Sequence, residues 1–206
     1  MASPLASLKR GVLRPRDAIG MYSQPARQFN YWEQEGVLLK VAHGYYAHIP
    51  EASRGGNWRP EIEALALGIG QADYGKSEVA LMHLSAARTL GALPRAIAVA
   101  VLAVPKRRPD LEMKYGRITF VQRDVNTLKK IRIETELATG WCTSVEQTAL
   151  DLAGRPNIVK GLTEVAQEAA GTLYGRIDDK KLATILKEQR MNTALVRLRN
   201  WAINVR

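Results

Sequence analysis

Nine consecutive apolar residues, Ala96–Val104, set the tightest limit on what this chain can fold into. A membrane-spanning helix needs roughly 18–20 such residues, so the run is about half too short and reads as a buried strand. Further strands are expected over Arg117–Val121 and Ile131–Glu134. Between and around them the spacing is helical. Trp58, Ile62, Leu65, Ala66 and Ile69 share one helix face, with Pro60 in its first turn. Glu78–Leu90 reads as a helix closed by Gly91. Thr143-Ser144-Val145-Glu146 reads as a capping box that opens a helix through Leu152. Val159, Leu162, Val165, Ala166 and Ala169 carry another helix. The tail, Asp178–Trp201, is expected to be helical with Leu182, Ile185, Leu186, Leu195, Leu198 and Trp201 inward. That leaves Arg190, Arg197 and Arg199 on the surface, free to meet a partner. Strands mixed with helices in this order give an α/β (α+β) body.

With 46% hydrophobic residues the chain has enough apolar mass for a core, which excludes a wholly disordered or collagen-like protein. Cys142 is the single cysteine; it rules out a disulfide framework and a multi-cysteine zinc site and fits a reducing cytoplasm. Residues 1–10 lack the long apolar stretch of a secretion signal. Cytoplasmic localisation, away from the membrane, is therefore expected. His43, His48 and His83 have no metal-ligand spacing, and Cys142 has no evident base, so no metal centre is expected.

The formal net charge is +10, which points to an acidic partner. Its distribution is uneven about the Gly/Ser/Pro-rich break Pro50-Glu51-Ala52-Ser53-Arg54-Gly55-Gly56. Residues 1–50 hold six Lys/Arg against three acids, residues 51–175 sixteen against fourteen, and residues 176–206 eight against three. The excess thus lies at the two ends. Two units follow, 1–50 and 51–206.

The first fifty residues read as a winged helix-turn-helix. Arg14–Ile19 forms a short helix ended by Gly20. Ser23 caps a second helix with Pro25 in its first turn and Gly36 closing it. Phe29 and Trp32 face the core, so Ser23, Gln24, Arg27, Gln28, Asn30 and Tyr31 are left to contact phosphates or base edges. Val37–Ala42 and Tyr45–Ile49 form a hairpin whose turn uses the positive φ of Gly44. In this geometry the second helix enters the major groove, and Lys40 and His43 on the wing touch the DNA backbone or minor groove. The same residues also describe a small helical cap that binds nothing.

Gly70-Gln71-Ala72-Asp73-Tyr74-Gly75-Lys76-Ser77 matches the phosphate-loop pattern at every fixed position. In such a loop Gly70 and Gly75 would let backbone N–H groups close on phosphates, Lys76 would reach the β/γ oxygens, and Ser77 would ligate Mg²⁺. A phosphate loop follows a buried strand, however, and Glu61–Ile69 has helical spacing. In the alternative reading the segment joins two helices, with Gly75 as a turn residue and Ser77 as a cap. Lys106-Arg107-Arg108, between strands, is a solvated loop or a grip for an acidic partner.

The winged helix ending in Gly44-Tyr45-Tyr46, then Leu84-Ser85-Ala86-Ala87 with Leu90-Gly91, then Thr143-Ser144-Val145-Glu146-Gln147-Thr148-Ala149-Leu150-Asp151-Leu152-Ala153, follow one another in an order that resembles the AbiEi-type antitoxins of type IV toxin–antitoxin pairs. The likeness runs from about residue 12 to 170. It departs at Gln147, where such antitoxins usually carry Arg. The resemblance implies an N-terminal domain that represses its own operon and a C-terminal domain that neutralises a nucleotidyltransferase-like toxin. The chain is also similar to a mycobacterial branch that looks like atypical serine kinases, which silence the toxin by phosphorylating it. That alternative implies ATP and Mg²⁺ as cofactors. It needs a cradle, a metal-binding acid and a base; Asp73, Asp124 and Asp151 are candidates for the last two. A plain RNA-binding protein is a third reading, favoured by charge alone.

Overall fold

The structure, a computed structural model, describes residues 11–204. The stretch 1–10, read above for a secretion signal, lies outside the described residues. The described chain is mixed α/β. Its N-terminal head consists of β1 (Val12–Leu13), a 3₁₀ turn over Pro15–Ala18, α1 (Pro25–Gln34), β2 (Leu38–Ala42) and β3 (Tyr45–His48). The three strands form an antiparallel sheet in the order β1-β3-β2. Gly44, at φ +77°, turns the hairpin as expected. The expected first helix is shorter than the sequence suggests: only one 3₁₀ turn forms, because Asp17 folds back onto Arg14.

The body holds α2 (Ile62–Tyr74), β4 (Ala80–Leu81), α3 (His83–Thr89), β5 (Val99–Val104), β6 (Leu111–Met113), β7 (Gly116–Gln122), β8 (Lys130–Glu134) and β9 (Thr139–Thr143). Four more helices complete it: α4 (Val145–Gly154), α5 (Thr163–Tyr174), α6 (Asp179–Gln189) and α7 (Asn192–Asn204). Its six-stranded sheet runs β6-β7-β5-β4-β9-β8, with β5/β7 and β4/β9 parallel and the other pairs antiparallel.

The apolar run read as one strand enters β5 only from Val99, with Ala96 and Ala98 exposed ahead of it; β5 itself is covered on both faces. Val101 and Ala103 point into a core shared with α3 to α7, where Leu150, Leu173, Ile185 and Leu198 are buried. Ala100, Leu102 and Val104 point to the opposite face, against α2. The second core also takes in Val12, Val41 and Ala47 of the head. The head keeps a small core of its own, built on Leu13, Phe29, Trp32, Leu38 and Tyr46.

Further expected boundaries move. Trp58 and Pro60 lie ahead of α2, which begins at Ile62. The helix read over Glu78–Leu90 begins only at His83, since the residues before it make a turn and the two-residue strand β4. Val159 precedes α5 rather than belonging to it. The tail is two helices, broken where Arg190 adopts φ +54°. The cap of α4 is Ser144, whose Oγ accepts from the Gln147 N–H at 3.3 Å; the expected box lies one residue later, and Gln147 turns inward instead of closing it.

Candidate functional site

The head presents one polar helix face. In α1, Phe29 and Trp32 stand one turn apart and face the sheet. Phe29 meets Trp32 at 5.3 Å and Tyr46 at 5.2 Å between ring centroids, and Tyr22 meets Trp32 edge-on at 5.5 Å. This packing fixes which side of α1 stays outside. Ser23, Gln24, Arg27, Gln28 and Tyr31 line a shallow hollow of ≈ 380 Å³ there, together with Tyr22. Arg27 is exposed and has no ion-pair partner among the described residues. Lys40 and His43 are exposed on the hairpin beside it. Two expectations change. Gln24, not Ser23, occupies the cap position, and neither side chain caps the helix. Asn30 is partly committed to the fold, because its Oδ1 accepts from the Tyr46 hydroxyl at 3.2 Å.

A clamp joins head to body. Asp73, at the end of α2, receives Arg14 at 2.6 Å, Arg16 at 2.8 Å, Tyr45 at 2.6 Å and Arg108 at 2.6 Å. Burial alone would raise its carboxyl, but the bonds from Tyr45, Arg108 and Arg14 outweigh it and hold Asp73 below the usual carboxylate range. Arg108 also lies over the Phe120 ring at 4.1 Å. Asp73 is thus a structural anchor and not a base, and Arg108 is withdrawn from the basic loop.

The phosphate-loop pattern folds as something else. Gly70–Tyr74 are the last residues of α2, so their N–H groups point along the helix and cannot ring a phosphate. Gly70 is needed for close packing instead: a Cβ there would collide with Leu102. Gly75, at φ +100°, ends the helix. Lys76 and Ser77 are in the following turn, where Ser77 bonds to Glu78 at 3.1 Å and caps nothing. These residues do not fit a triphosphate with its Mg²⁺, and the kinase reading loses the cradle on which it stood.

The segment Thr143–Ala153 builds a buried polar network. Thr143 and Thr148 share a 2.7 Å hydroxyl bond. Gln147 donates to Asp151 at 3.2 Å and to Gln189 at 3.1 Å, and its Oε1 accepts from Gln189 at 2.7 Å. Arg123 donates to Asp151 at 3.3 Å. Asp124, the other acid considered for metal binding, caps the 3₁₀ turn Val125–Thr127 through the Asn126 N–H. In the tail, Arg190 and Arg199 are exposed, whereas Arg197 is half-buried and donates to the Ala153 carbonyl at 2.6 Å. It closes the C-terminal end of α4, and so is not the free surface cation expected.

His83 is buried in the left-handed region at φ +53°, and its Nε2 meets the Arg155 carbonyl at 3.1 Å. Burial pushes its imidazole down to about 4. Burial likewise pushes the Cys142 thiol up to about 12, as a structural thiol requires. Among the described residues there is no cluster of His, Cys, Asp or Glu that could hold a metal ion, and no helix long and apolar enough to cross a membrane.

The family model of the AbiEi antitoxin C-terminal domain matches residues 78–201, more than half of the chain. The chain belongs to the AbiEi antitoxin family. The match begins just after α2 and ends in α7, so it takes in all six strands of the body sheet, the Thr143–Ala153 network, α6 and most of α7. The AbiEi body is similar, together with the head, to the crystal structure of the Rv2827c protein from Mycobacterium tuberculosis. The TM-score is 0.64 at 20% identity, over 96% of this chain and 73% of that one. That likeness shows the fold. A search of curated proteins finds no match.

Within this AbiEi chain, Gln147 and Gln189 form a reciprocal amide pair, so position 147 is filled by a fully bonded neutral side chain. The residues that sequence reading missed are Arg14, Arg16 and Tyr45, which converge on Asp73 from positions scattered along the chain. The matched phosphate-loop pattern drew attention to Asp73 for a different reason.

Proposed function

We propose that this AbiEi antitoxin neutralises a cognate nucleotidyltransferase-like toxin through residues 51–206 and represses its own operon through residues 1–50, in the cytoplasm. The antitoxin role rests on the family. The observation that supports operator binding is the exposed face of α1, where Gln24, Arg27, Gln28 and Tyr31 stand opposite the Phe29/Trp32 core with an uncommitted guanidinium at their centre. Arg and Gln are the side chains that make bidentate contacts to guanine and adenine. Lys40 and His43, exposed on the β2–β3 hairpin, would serve as the wing, and Ser23 adds a hydroxyl for the phosphate backbone. Asn30 contributes less, being tied to Tyr46. Arg190 and Arg199 offer positive charge to the toxin at the opposite end of the chain.

Fluorescence anisotropy of the full chain on duplex DNA from its own promoter tests the operator arm. Binding is expected to weaken steeply with salt, because phosphate contacts release counterions. Arg27→Ala and Gln28→Ala are each expected to cost about 1–3 kcal/mol against the operator and much less against random duplex. Equal affinity of wild type and both variants for the operator overturns the assignment of α1 as the reading helix.

A further inference from the structure

A cavity of ≈ 500 Å³ opens where α4, α6 and α7 meet the end of β7, within the size range of ligand pockets. Its lining includes Asp151, Arg123, Arg155, Arg197 and Gln189. Asp151 is one of the lining residues, with its side chain 1% exposed. Its Oδ1 is held at 3.3 Å by Arg123 and at 3.2 Å by Gln147, both long for charge-assisted or amide bonds. Its Oδ2 is buried with no hydrogen-bond partner. Burial pushes the carboxyl above its usual range despite the nearby Arg123 guanidinium and the Gln147 bond, the behaviour of a carboxylate short of donors. A buried acceptor left bare is costly, and proteins rarely keep one without a use.

Other parts of the lining have the opposite character. Arg155 and Arg197 belong to it, and neither has a carboxylate within ion-pair distance among the described residues. Glu188, also in the lining, is paired with Lys129 at 2.8 Å. Arg155 is exposed, and Arg197 keeps N–H groups beyond the one given to the Ala153 carbonyl, so two guanidinium groups with donors to spare share the lining with an under-bonded acceptor. His83 fixes the backbone under one of them through the Arg155 carbonyl.

We infer that this cavity binds a small phosphate monoester whose body carries hydroxyl or amino groups, with the phosphate at Arg155 and Arg197 and an O–H or N–H of the body donated to Asp151 Oδ2. A phosphate monoester carries close to two negative charges at neutral pH, which matches two guanidinium groups that have no carboxylate at ion-pair distance among the described residues better than a carboxylate does. Guanidinium forks also fit phosphate geometry. The body must then supply the donor that the protein leaves out. A sugar phosphate and a nucleoside monophosphate share this chemistry. The inference stands apart from toxin and operator binding, since it uses neither α1 nor the exposed Arg190 and Arg199.

Isothermal titration of the full chain with ribose 5-phosphate, cytidine monophosphate and inorganic phosphate tests it. At least one ester is expected to bind tenfold or more tightly than inorganic phosphate. Preference for ribose 5-phosphate identifies a sugar-phosphate site, and preference for the nucleotide identifies a base as the donor. Arg155→Ala, at an exposed side chain, is expected to weaken that ester at least tenfold. Asp151→Asn is expected to do the same while leaving inorganic phosphate unchanged. If Asp151→Asn does not fold, Arg155→Ala alone decides. Absence of ester binding, inorganic phosphate binding as tightly as the esters, or an Arg155→Ala chain that binds like wild type overturns the inference.

Discussion

Replacing Asp73 with alanine removes the acceptor on which the head and body converge. Three of its four donors come from the head, Arg14, Arg16 and Tyr45, and one from the body, Arg108. Arg16 is 62% exposed, so its share is screened and small. Arg14 and Arg108 are 12% and 21% exposed; in the variant Arg14 keeps Asp17 at 2.6 Å, whereas Arg108 is left without a carboxylate partner among the described residues. Breaking a buried ion pair from one side costs about 3–5 kcal/mol, mostly from the charge left behind. For a chain of this size each kcal/mol lowers the melting temperature by roughly 2–4 °C, so Asp73→Ala is expected to melt about 10 °C below wild type. Asp73→Asn keeps two of the bonds and is expected to lose about half as much. Acid should erase the same contribution. The folded carboxyl sits below its unfolded value, so its stabilisation is complete above the unfolded pKa and fades as pH falls below it. Thermal melts followed by circular dichroism measure the loss, and hydrogen exchange in β1–β3 reads whether the head loosens first. A loss under about 1 kcal/mol for Asp73→Ala, or unchanged exchange in the head, refutes the clamp.

Other consequences can be checked on the same protein. His83 is held at about 4 when folded against an ordinary value near 6.5, so the unfolded chain takes the proton first; stability should fall by up to about 3 kcal/mol as pH drops from 7 to 4. Urea unfolding of wild type and His83→Asn, a residue that tolerates positive φ, isolates this slope; identical pH dependence in both refutes it. Gly70→Ala should cost about 1–3 kcal/mol by forcing a methyl group against Leu102, whereas Lys76→Ala, at an exposed turn, should stay within about 0.5 kcal/mol. The reverse order in thermal melts would restore a loop at this position. Cys142 should resist thiol reagents at pH 8 until denaturant is added, and rapid labelling of the native chain would contradict its burial.

Much of the architecture is legible where a pattern is long enough to have a period. The Ala96–Val104 run, the strands near 117–122 and 130–134, the aromatic face of α1 and the apolar face of the tail all carry such patterns. β4 does not: two residues cannot show alternation, and Ala80-Leu81 becomes a strand only because β5 and β9 flank it. β9 is hidden by Gly140, which is there because Gln71 and Leu67 press against its backbone. The phosphate-loop pattern misled through its letters. Helix spacing over 61–69 already argued against it, and α2 simply continues through Gly70 because the tight packing against Leu102 favours a residue without a side chain. The Asp73 clamp has no local signal at all, as its partners are brought together by the docking of two separate sheets. The Thr143–Ala153 segment signalled importance by family likeness, while its buried bonds to Gln189 and Arg123 could be seen only once α6 and β7 were in place.

The most direct test of the account is co-expression of the full chain with the nucleotidyltransferase-like toxin proposed as its partner, scored by growth and by repression of a reporter on the native promoter. The wild type is expected to restore growth and silence the reporter. The Arg27→Ala, Gln28→Ala double variant is expected to restore growth equally while releasing the reporter, because the toxin arm and the operator arm lie in different parts of the chain. Failure of the wild type to restore growth, or loss of growth rescue in the head variant, would contradict it.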